Sequence, residues 1–223
     1  MPVLKTLRIA RVRLRFSPPC RGGIHAFALR GAIAGHFPLE DLLHQHAKEG
    51  FVYRYPKVQY RWGENTGLLL GIQEGAELLA RLPLIGRRVV IDRGDHEIIE
   101  AELAFGEEAV GPSTRLESYC FKTPWLPFNQ PNFERYLKLP ERDRPQELQR
   151  IAVGNLLSLL KGLDYLFPDR LFASFQPGKE VRCRYKGQDF VGFMGVLSAN
   201  VILPTDLAIG RAVSHGFGWL GRL

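Results

Sequence analysis

The sequence predicts an α+β fold of two tandem ferredoxin-like (split βαβ, RRM-like) domains, and three observations support this prediction. The periodic segments of the first half follow the order strand, helix, strand, strand, helix, strand, which defines the split βαβ unit. The second half loosely repeats this pattern after a Gly- and Pro-containing segment at residues 106–113. A length of 223 residues is sufficient for two small domains. We therefore expect one domain over residues 1–107 and a second over residues 112–223.

The first element is a strand with one cationic face. Over residues 11–16 arginine alternates with apolar residues, and a period of two places alternate side chains on opposite faces of a strand. Upstream, Leu7 and Ile9 are apolar with the opposite parity. We therefore expect a β-bulge near Ala10, which would restore a single buried face.

The remaining segments of the first half alternate between helical and strand spacing. Helical spacing predicts helices over residues 24–31, 39–43 and 74–82. Strand spacing predicts strands over residues 53–62 and 67–72, joined by a turn at 63–65, and a strand pair or one long bent strand over 89–105.

The second half begins with a strand-like segment at residues 116–121, followed by a stretch to residue 145 that is rich in Pro and Asn. Apolar residues at helical spacing from Gln146 to Leu163 predict an amphipathic helix. Strands are expected over residues 170–175, 181–185 and 190–201, and a glycine-rich loop closes the chain.

The composition is that of an ordinary globular protein. Apolar residues make up 45% and charged residues 24% of the chain, which argues against a disordered or fibrous protein. The longest uncharged run, between Asp189 and Asp206, has 16 residues and is shorter than the roughly 20 residues of a membrane-spanning helix. The N-terminus lacks the apolar core of a secretory signal. We expect a cytoplasmic protein without a membrane partner.

The cysteines and histidines do not indicate a metal site. Cys20, Cys120 and Cys183 are too far apart in sequence for a zinc or redox motif. His44 and His46 are two positions apart, so on a helix they would point in different directions and only on a strand or loop would they converge. We expect no metal and no cofactor.

The positive charge is unevenly distributed. The chain has 30 Lys and Arg against 23 Asp and Glu, a net charge of +7. Seven basic residues precede the first acid, Glu40: they are Lys5, Arg8, Arg11, Arg13, Arg15, Arg21 and Arg30. We expect Arg11, Arg13 and Arg15 to face a polyanion such as nucleic acid, and the alternative is a solvated strand face.

A second basic segment surrounds Tyr185. It contains Lys179, Arg182, Arg184 and Lys186. Cations interleaved with an aromatic residue suit the backbone of an RNA stem. The alternative is an ordinary exposed hairpin.

The C-terminal segment places Gly210, Gly216 and Gly218 around Arg211 and Ser214. Glycines allow backbone N–H groups to approach a phosphate closely. The spacing lacks the lysine of a P-loop, and no βαβ unit follows as in a dinucleotide site. We expect this segment to bind phosphate, and the alternative is a series of turns.

This segment resembles the C-terminal glycine-rich loop of the RAMP proteins of CRISPR systems. Along nearly its whole length the chain is most similar to the repeat-RNA-processing endoribonucleases of the Cas6 family, in the subgroup associated with type I-B systems. The supporting stretches are Leu-Arg-Gly at 29–31, Tyr-Arg-Tyr-Pro-Lys-Val-Gln-Tyr at 53–60, Gly-Ile-Gln-Glu-Gly at 71–75 and Gly-Asn-Leu-Leu-Ser at 154–158. One departure is Ala208, which stands where the family has the first glycine of its loop.

The resemblance implies tandem ferredoxin-like domains and a metal-independent cleavage of RNA. The 2′-hydroxyl 5′ of the cut attacks the adjacent phosphate and leaves a 2′,3′-cyclic phosphate and a 5′-hydroxyl. This reaction requires a base, an acid and cations that stabilise the charge on the phosphate.

The resemblance places the catalytic histidine in or just after the first helical region. His44-Gln45-His46 is similar to a His-Asn-His that precedes the Tyr-Arg-Tyr-Pro strand in the subgroup. We rank His46 first, His44 second and His36 third as the acid or base, since the unperturbed pKa of histidine lies near neutrality. Lys48 is the expected electrostatic helper, unless it simply pairs with Glu49.

The implied partner is the CRISPR repeat RNA of a precursor transcript, which the enzyme would cut to mature guide RNA. The competing hypothesis is a guide-RNA-binding subunit of a CRISPR effector complex that has the same fold and no catalysis. The residues leave open whether the chain joins other subunits of such a complex or forms a homodimer. A two-histidine cyclic phosphodiesterase is excluded, because the sequence lacks two H-x-[ST] motifs.

Overall fold

The computed structural model describes residues 4–20, 26–44, 46–47, 50–51, 55–63, 65–185 and 187–223, with the backbone alone at 46–47 and 50–51. The chain divides into two units. The N-terminal unit contains Thr6–Glu108 and Ser214–Gly216. The C-terminal unit contains the segment ending at Lys5, Ala109–Val213 and Phe217–Leu223. No helix in the described part of the chain has the length and apolar character to span a membrane.

The N-terminal unit is built on antiparallel strands with helices packed against them. Its elements are β1 (Lys5–Ser17), α1 (Ala26–His36), α2 (Asp41–His44), β2 (His46–Ala47), β3 (Gly50–Phe51), β4 (Val58–Gly63), β5 (Thr66–Ile72), α3 (Glu74–Arg81), β6 (Arg88–Ile91) and the start of β7 (Gly94–Phe121). The strands follow the order β4-β5-β1-β7, β6 pairs with β7, and β2 pairs with β3 in a separate ribbon. The predicted order of strands and helices is confirmed.

Strand β1 contributes the centre of the core. Its residues Ala10, Val12, Leu14 and Phe16 pack with apolar side chains of the helices. The β-bulge predicted near Ala10 is absent from the pairing with β5, because β1 pairs with β5 without a register shift from Ile9 to Leu14. The apolar residues switch from odd to even positions at Ala10 because Leu7 and Ile9 are buried on one face of the strand, whereas Ala10 and Val12 are buried on the other.

The segment 106–113, predicted from the sequence as the domain boundary, is not a loop. Strand β7 runs continuously from Gly94 to Phe121, and the chain passes from one unit to the other inside this strand, after Glu108. Gly111 adopts a φ of +154° within the strand. Gly111 therefore provides an unusual backbone angle within the strand and does not end the strand.

The C-terminal unit contains a second antiparallel arrangement. Its elements after β7 are α4 (Gln130–Lys138), α5 (Arg144–Gly162), β8 (Ala173–Tyr185), β9 (Gln188–Ile202) and β10 (Leu220–Arg222), with short 3₁₀ turns at Glu141–Asp143 and Val213–His215. The strand order is β7-β9-β8, and β10 pairs with β7. Helix α5 packs against β8. This antiparallel α+β architecture confirms the predicted fold class.

The second half contains one helix that was not predicted and one strand where two were predicted. The Pro- and Asn-rich stretch contains α4, whose start the sequence does signal: Asn129 caps it by accepting a hydrogen bond from the backbone N–H of Asn132 at 2.9 Å, and a proline lies in the first turn. The two strands expected over 170–175 and 181–185 are the single strand β8, whose register against β9 shifts between Pro177 and Lys179.

Trp125 anchors the core of the C-terminal unit. It is fully buried, its ring stacks on Phe121 at 5.5 Å and meets Phe175 edge-on at 5.0 Å. Its indole Nε1 donates a hydrogen bond to Asn155 of α5 at 2.9 Å. Burial of a tryptophan with its N–H satisfied is the arrangement expected of a stabilising anchor.

We predict that Gly75→Ala destabilises the protein by roughly 1–3 kcal/mol. A Cβ at residue 75 would lie 2.1 Å from the carbonyl oxygen of Lys57, so the backbone must shift. The matched control is Gly31→Ala on helix α1, where a Cβ meets no atom of the described residues within 4 Å and the gain in helix propensity is up to about 1 kcal/mol. Urea denaturation measures both changes, and equal stability of the two variants would contradict the prediction.

Candidate functional site

A cluster of polar side chains surrounds Arg30 in the N-terminal unit. Helix α1 presents this arginine, whose Nη1 lies 2.9 Å from Nε2 of His215. Its Nη2 donates a hydrogen bond to the carbonyl oxygen of His44. The guanidinium therefore ties together α1, the end of α2 and the segment Ser214–Gly216. We refer to these groups as the Arg30 cluster.

The hydrogen bonds define the tautomer of His215. A guanidinium has only N–H donors, so Nε2 of His215 accepts the bond from Arg30. The proton of the neutral ring is then on Nδ1, which lies 3.1 Å from Oγ of the buried Ser214. His215 is thus held as a hydrogen-bonded partner of Arg30. The sequence-based ranking did not include either residue.

The described histidines of the predicted catalytic set differ in their surroundings. His44 is the last residue of α2, and its Nε2 lies 3.1 Å from the carbonyl oxygen of Phe37. Because a carbonyl only accepts, Nε2 of His44 carries a proton. His36 ends α1 with an exposed side chain. The side chain of His46 and the whole of Lys48 lie outside the described residues.

Tyr60 holds α2 in position through a hydrogen bond. Its hydroxyl donates a hydrogen bond to the carbonyl oxygen of Leu43 at 3.4 Å. Burial raises the pKa of the Tyr60 hydroxyl, and the positive charge of Arg30 offsets this only in part. Tyr60 therefore keeps its proton at neutral pH and acts as a hydrogen-bond donor to the turn that carries His44.

The arginines of β1 are compensated by glutamates of β7. Arg11 pairs with Glu108 at 2.6 Å, Arg15 with Glu100 at 3.1 Å, and Arg13 with Glu102 at 3.9 Å. The strand has the expected alternation, but each arginine on its polar face has an acidic neighbour. The row of Arg11, Arg13 and Arg15 is therefore not an uncompensated cationic surface in the fold.

The basic segment around Tyr185 forms the hairpin of β8 and β9. Lys179, Arg182 and Arg184 are exposed, and Cys183 between the two arginines is buried, so both arginines project from the same face. Neither arginine forms an ion pair with a described carboxylate. Lys186 lies outside the described residues. This hairpin is the predicted basic surface that remains open to a ligand.

The glycine-rich segment is closely packed against the protein itself. A Cβ at Gly210 would lie 2.7 Å from the carbonyl oxygen of Leu126, and one at Gly216 would lie 2.5 Å from Cβ of Ala26. A Cβ at Gly218 would lie 2.0 Å from the carbonyl oxygen of Ile209. The glycines are therefore required by intramolecular contacts.

The two polar residues of this segment lie in different units. Ser214 belongs to the N-terminal unit, where it is buried against His215. Arg211 belongs to the C-terminal unit, where its Nη1 donates to the carbonyl oxygen of Phe128 at 3.1 Å. Its side chain is exposed and lies over the ring of Phe190 at 5.4 Å. Of the two, Arg211 is the one placed to meet a ligand.

The described residues contain no group of three or more His, Cys, Asp or Glu side chains that could hold a metal ion. The Arg30 cluster offers a cation, the imidazole of His215 and the hydroxyl of Ser214, and the imidazole of His44 belongs to the turn whose carbonyl Arg30 binds. These groups can donate and accept protons and can stabilise negative charge.

Comparison with known proteins identifies the relatives of the chain. Residues 5–108 match the family model of the Cas6b N-terminal domain, and residues 111–223 match that of the Cas6b C-terminal domain. A crystal structure of Cas6b aligns with a TM-score of 0.89 at 30% identity, over 98% of this chain and 100% of that chain. A structure described as the CRISPR RNA processing endoribonuclease Cas6b aligns with a TM-score of 0.74 at 26% identity, over the same shares. An uncharacterized protein of Methanocaldococcus jannaschii is 38% identical over 116 residues, which are 52% of this chain and 79% of that protein.

We predict that Arg30→Met destabilises the protein by about 1.5–3 kcal/mol, because charged hydrogen bonds to His215 and to the carbonyl of His44 are lost. In the variant Nε2 of His215 no longer accepts a hydrogen bond from Arg30, so the ring proton can move from Nδ1 to Nε2. Denaturant unfolding and two-bond ¹H–¹⁵N NMR of the imidazole measure the two effects. Arg81→Met, at a side chain that is 70% exposed, is the control and changes stability by less than about 0.5 kcal/mol. A wild-type His215 with its proton on Nε2 would contradict the geometry.

Proposed function

The chain belongs to the Cas6b family, and from this membership we propose that it is an endoribonuclease that cuts CRISPR repeat RNA in a precursor transcript to give mature guide RNA. The observation that carries the proposal is the match of both domain models along nearly the whole chain. The relative described as a CRISPR RNA processing endoribonuclease supports the same activity. We further propose a metal-independent reaction that leaves a 2′,3′-cyclic phosphate.

We assign the acid and base to histidines at the end of α1 or after it. His46 remains our first candidate, His44 the second and His36 the third. The geometry of His44 supports a role as base: Nε2 carries a proton toward the carbonyl of Phe37, so Nδ1 is the nitrogen left to accept one. For a 2′-hydroxyl within hydrogen-bond reach, a neutral imidazole nitrogen is an effective base near pH 7.

Arg30 is a positioning residue in this proposal. Its bond to the carbonyl oxygen of His44 fixes the turn that presents the histidine. The buried Nε of Arg30 has no hydrogen-bond partner among the described residues, so the guanidinium retains an unused donor. Lys48 is proposed as the further cation that stabilises charge on the phosphate.

We propose that the RNA backbone is held by the hairpin of β8 and β9, through Arg182 and Arg184 with Lys179 and Lys186, and by Arg211. The exposure of the described side chains supports this assignment. The arginines of β1 have ion-pair partners, so they would have to exchange glutamates for phosphates. The association with other effector subunits, or with a second copy of the chain, stays a prediction from the sequence.

The cleavage reaction provides a direct test. We expect the purified protein to cut CRISPR repeat RNA in excess chelator and to leave intact an RNA whose 2′-hydroxyl at the cut is replaced by hydrogen. We expect His46→Ala to reduce the cleavage rate by roughly 10²–10⁴ while repeat binding changes only a few-fold. Single-turnover cleavage and filter binding measure the two quantities in His46→Ala, His44→Ala and His36→Ala.

The outcomes separate the alternatives. Binding of repeat RNA without any cut would favour the guide-RNA-binding subunit. A chelator-sensitive cut would exclude the metal-independent reaction. Wild-type rates in all three histidine variants would mean that the active site lies elsewhere.

A second prediction concerns the hairpin. We expect Arg182→Ala and Arg184→Ala each to weaken RNA binding and to lower the salt dependence of log K by about 1, because each removes one phosphate contact. Arg142→Ala, at a side chain of the same unit that is 85% exposed, is the control and leaves the slope unchanged. Binding measured between 50 and 300 mM salt, about the range over which such slopes are clear, decides this. Slopes equal to that of the control would exclude the hairpin as the RNA contact.

A further inference from the structure

A pocket lies within the C-terminal unit, separate from the Arg30 cluster. Its volume is about 270 Å³, and its lining includes Phe128, Phe133, Phe190, Gln188, Asp189 and Arg211. This size is just below the roughly 300–1,000 Å³ of typical small-molecule sites. The pocket therefore suits a flat group of a few rings rather than a single ion.

Three segments distant in sequence form the walls of the pocket. Phe128 and Phe133 lie at the start of α4, which Asn129 caps. Gln188 and Phe190 lie in the first residues of β9. The backbone N–H of Arg211 donates to the carbonyl oxygen of Leu126 at 2.9 Å, and this bond fixes the third wall.

The lining combines aromatic rings with polar side chains. Phe128 contacts Phe133 with ring centroids 5.4 Å apart, and Arg211 covers the ring of Phe190. The backbones of Gln188 and Asp189 are paired with β8, but their side chains have no hydrogen-bond partner within the described part of the chain. This combination suits a nucleobase, because the faces of a base stack on aromatic rings and its edges form hydrogen bonds with amides, carboxylates and guanidinium groups.

The pocket adjoins the proposed phosphate contacts. In the β8–β9 ladder Arg184 lies opposite Asp189, and Arg182 lies opposite Val191, which also lines the pocket. Side chains directly opposite in an antiparallel pair share a face, so Asp189 and Val191 share the face of the two arginines, whereas Phe190 lies opposite the buried Cys183 on the other face. The proposed phosphate contact on the Phe190 face is Arg211, which lies over the Phe190 ring. A nucleotide whose phosphate is bound by Arg211 can therefore place its base at the mouth of the pocket.

From this geometry we propose that the pocket binds one unpaired nucleobase of the RNA. The proposal rests on the proposed function, since it assumes that RNA is the ligand of the hairpin. The base stacks within the aromatic lining, and Gln188, Asp189 and Arg211 contact its edge. The protein thus holds at least one nucleotide of the repeat in single-stranded form.

The test uses repeat RNA with a 2′-deoxy nucleotide at the cut and 2-aminopurine at one position at a time. Stacking quenches this fluorescent base, so the wild-type protein is expected to quench it at one position. Phe190→Ala and the double variant Gln188→Ala/Asp189→Ala are expected to abolish that quenching. They should also weaken binding roughly tenfold, since stacking of one base contributes about 1–3 kcal/mol.

Phe172→Ala is the matched control, because Phe172 is an aromatic residue of the same unit that is 53% exposed and does not line the pocket. It should keep wild-type quenching and affinity. Thermal unfolding checks that Phe190→Ala is folded, and the double variant replaces only exposed side chains. If quenching and affinity are unchanged in both pocket variants, the pocket does not bind a nucleobase. RNA cutting by the wild type would still support the proposed function in that case. Quenching that depends on the pocket in a protein that does not cut would support the pocket and not the endoribonuclease.

Discussion

The candidate site depends on the hydrogen bonds made by the guanidinium of Arg30. Helix α2 has only four residues, which is far too short to be stable by itself. It is held by bonds from outside: Arg30 and Tyr60 donate to the carbonyls of His44 and Leu43. The same guanidinium binds His215 of the C-terminal segment. A change at residue 30 would therefore affect both the presentation of His44 and the attachment of the segment, although residue 30 lies in a helix whose sequence shows no catalytic motif.

Local periodicity was sufficient to predict the order of the main elements in the first half of the chain, because alternation and helical spacing are determined by neighbouring residues. Periodicity did not predict features that depend on tertiary contacts. In β1, Leu7 and Ile9 are buried on one face of the strand and Ala10 and Val12 on the other. A pattern that assumes one buried face cannot predict this change. Arg30 and His215 are 185 positions apart, and no spacing rule connects them. The histidines 36, 44 and 46 were found from a resemblance of motifs, whereas the carbonyl that fixes the proton on His44 could be known only from the fold.

Charge shows the same limit. The sequence concentrates arginine before residue 40, and this favoured a polyanion along β1. The fold brings glutamates of β7 beside Arg11, Arg13 and Arg15. The pairs of Arg13 and Arg15 are exposed, and such pairs contribute little to stability. Arg182 and Arg184 of the hairpin form no ion pair with a described carboxylate, so a phosphate would not have to break one. Net charge therefore suggests an anionic ligand, while pairing in the fold guides the choice of the surface at which its binding is to be tested.

The glycine-rich segment illustrates why a motif and a binding site must be distinguished. Gly210, Gly216 and Gly218 all have positive φ, at 93°, 92° and 68°, and each would bring a Cβ into the protein's own atoms. A substitution at any of them would distort the segment before it removed a ligand contact, so lost RNA binding in such a variant would not identify a phosphate site. Arg211 is different, because its backbone is fixed by Leu126 while its side chain covers the rim of the aromatic pocket. The role of the segment in ligand binding therefore has to be tested at the side chain of Arg211 rather than at the glycines.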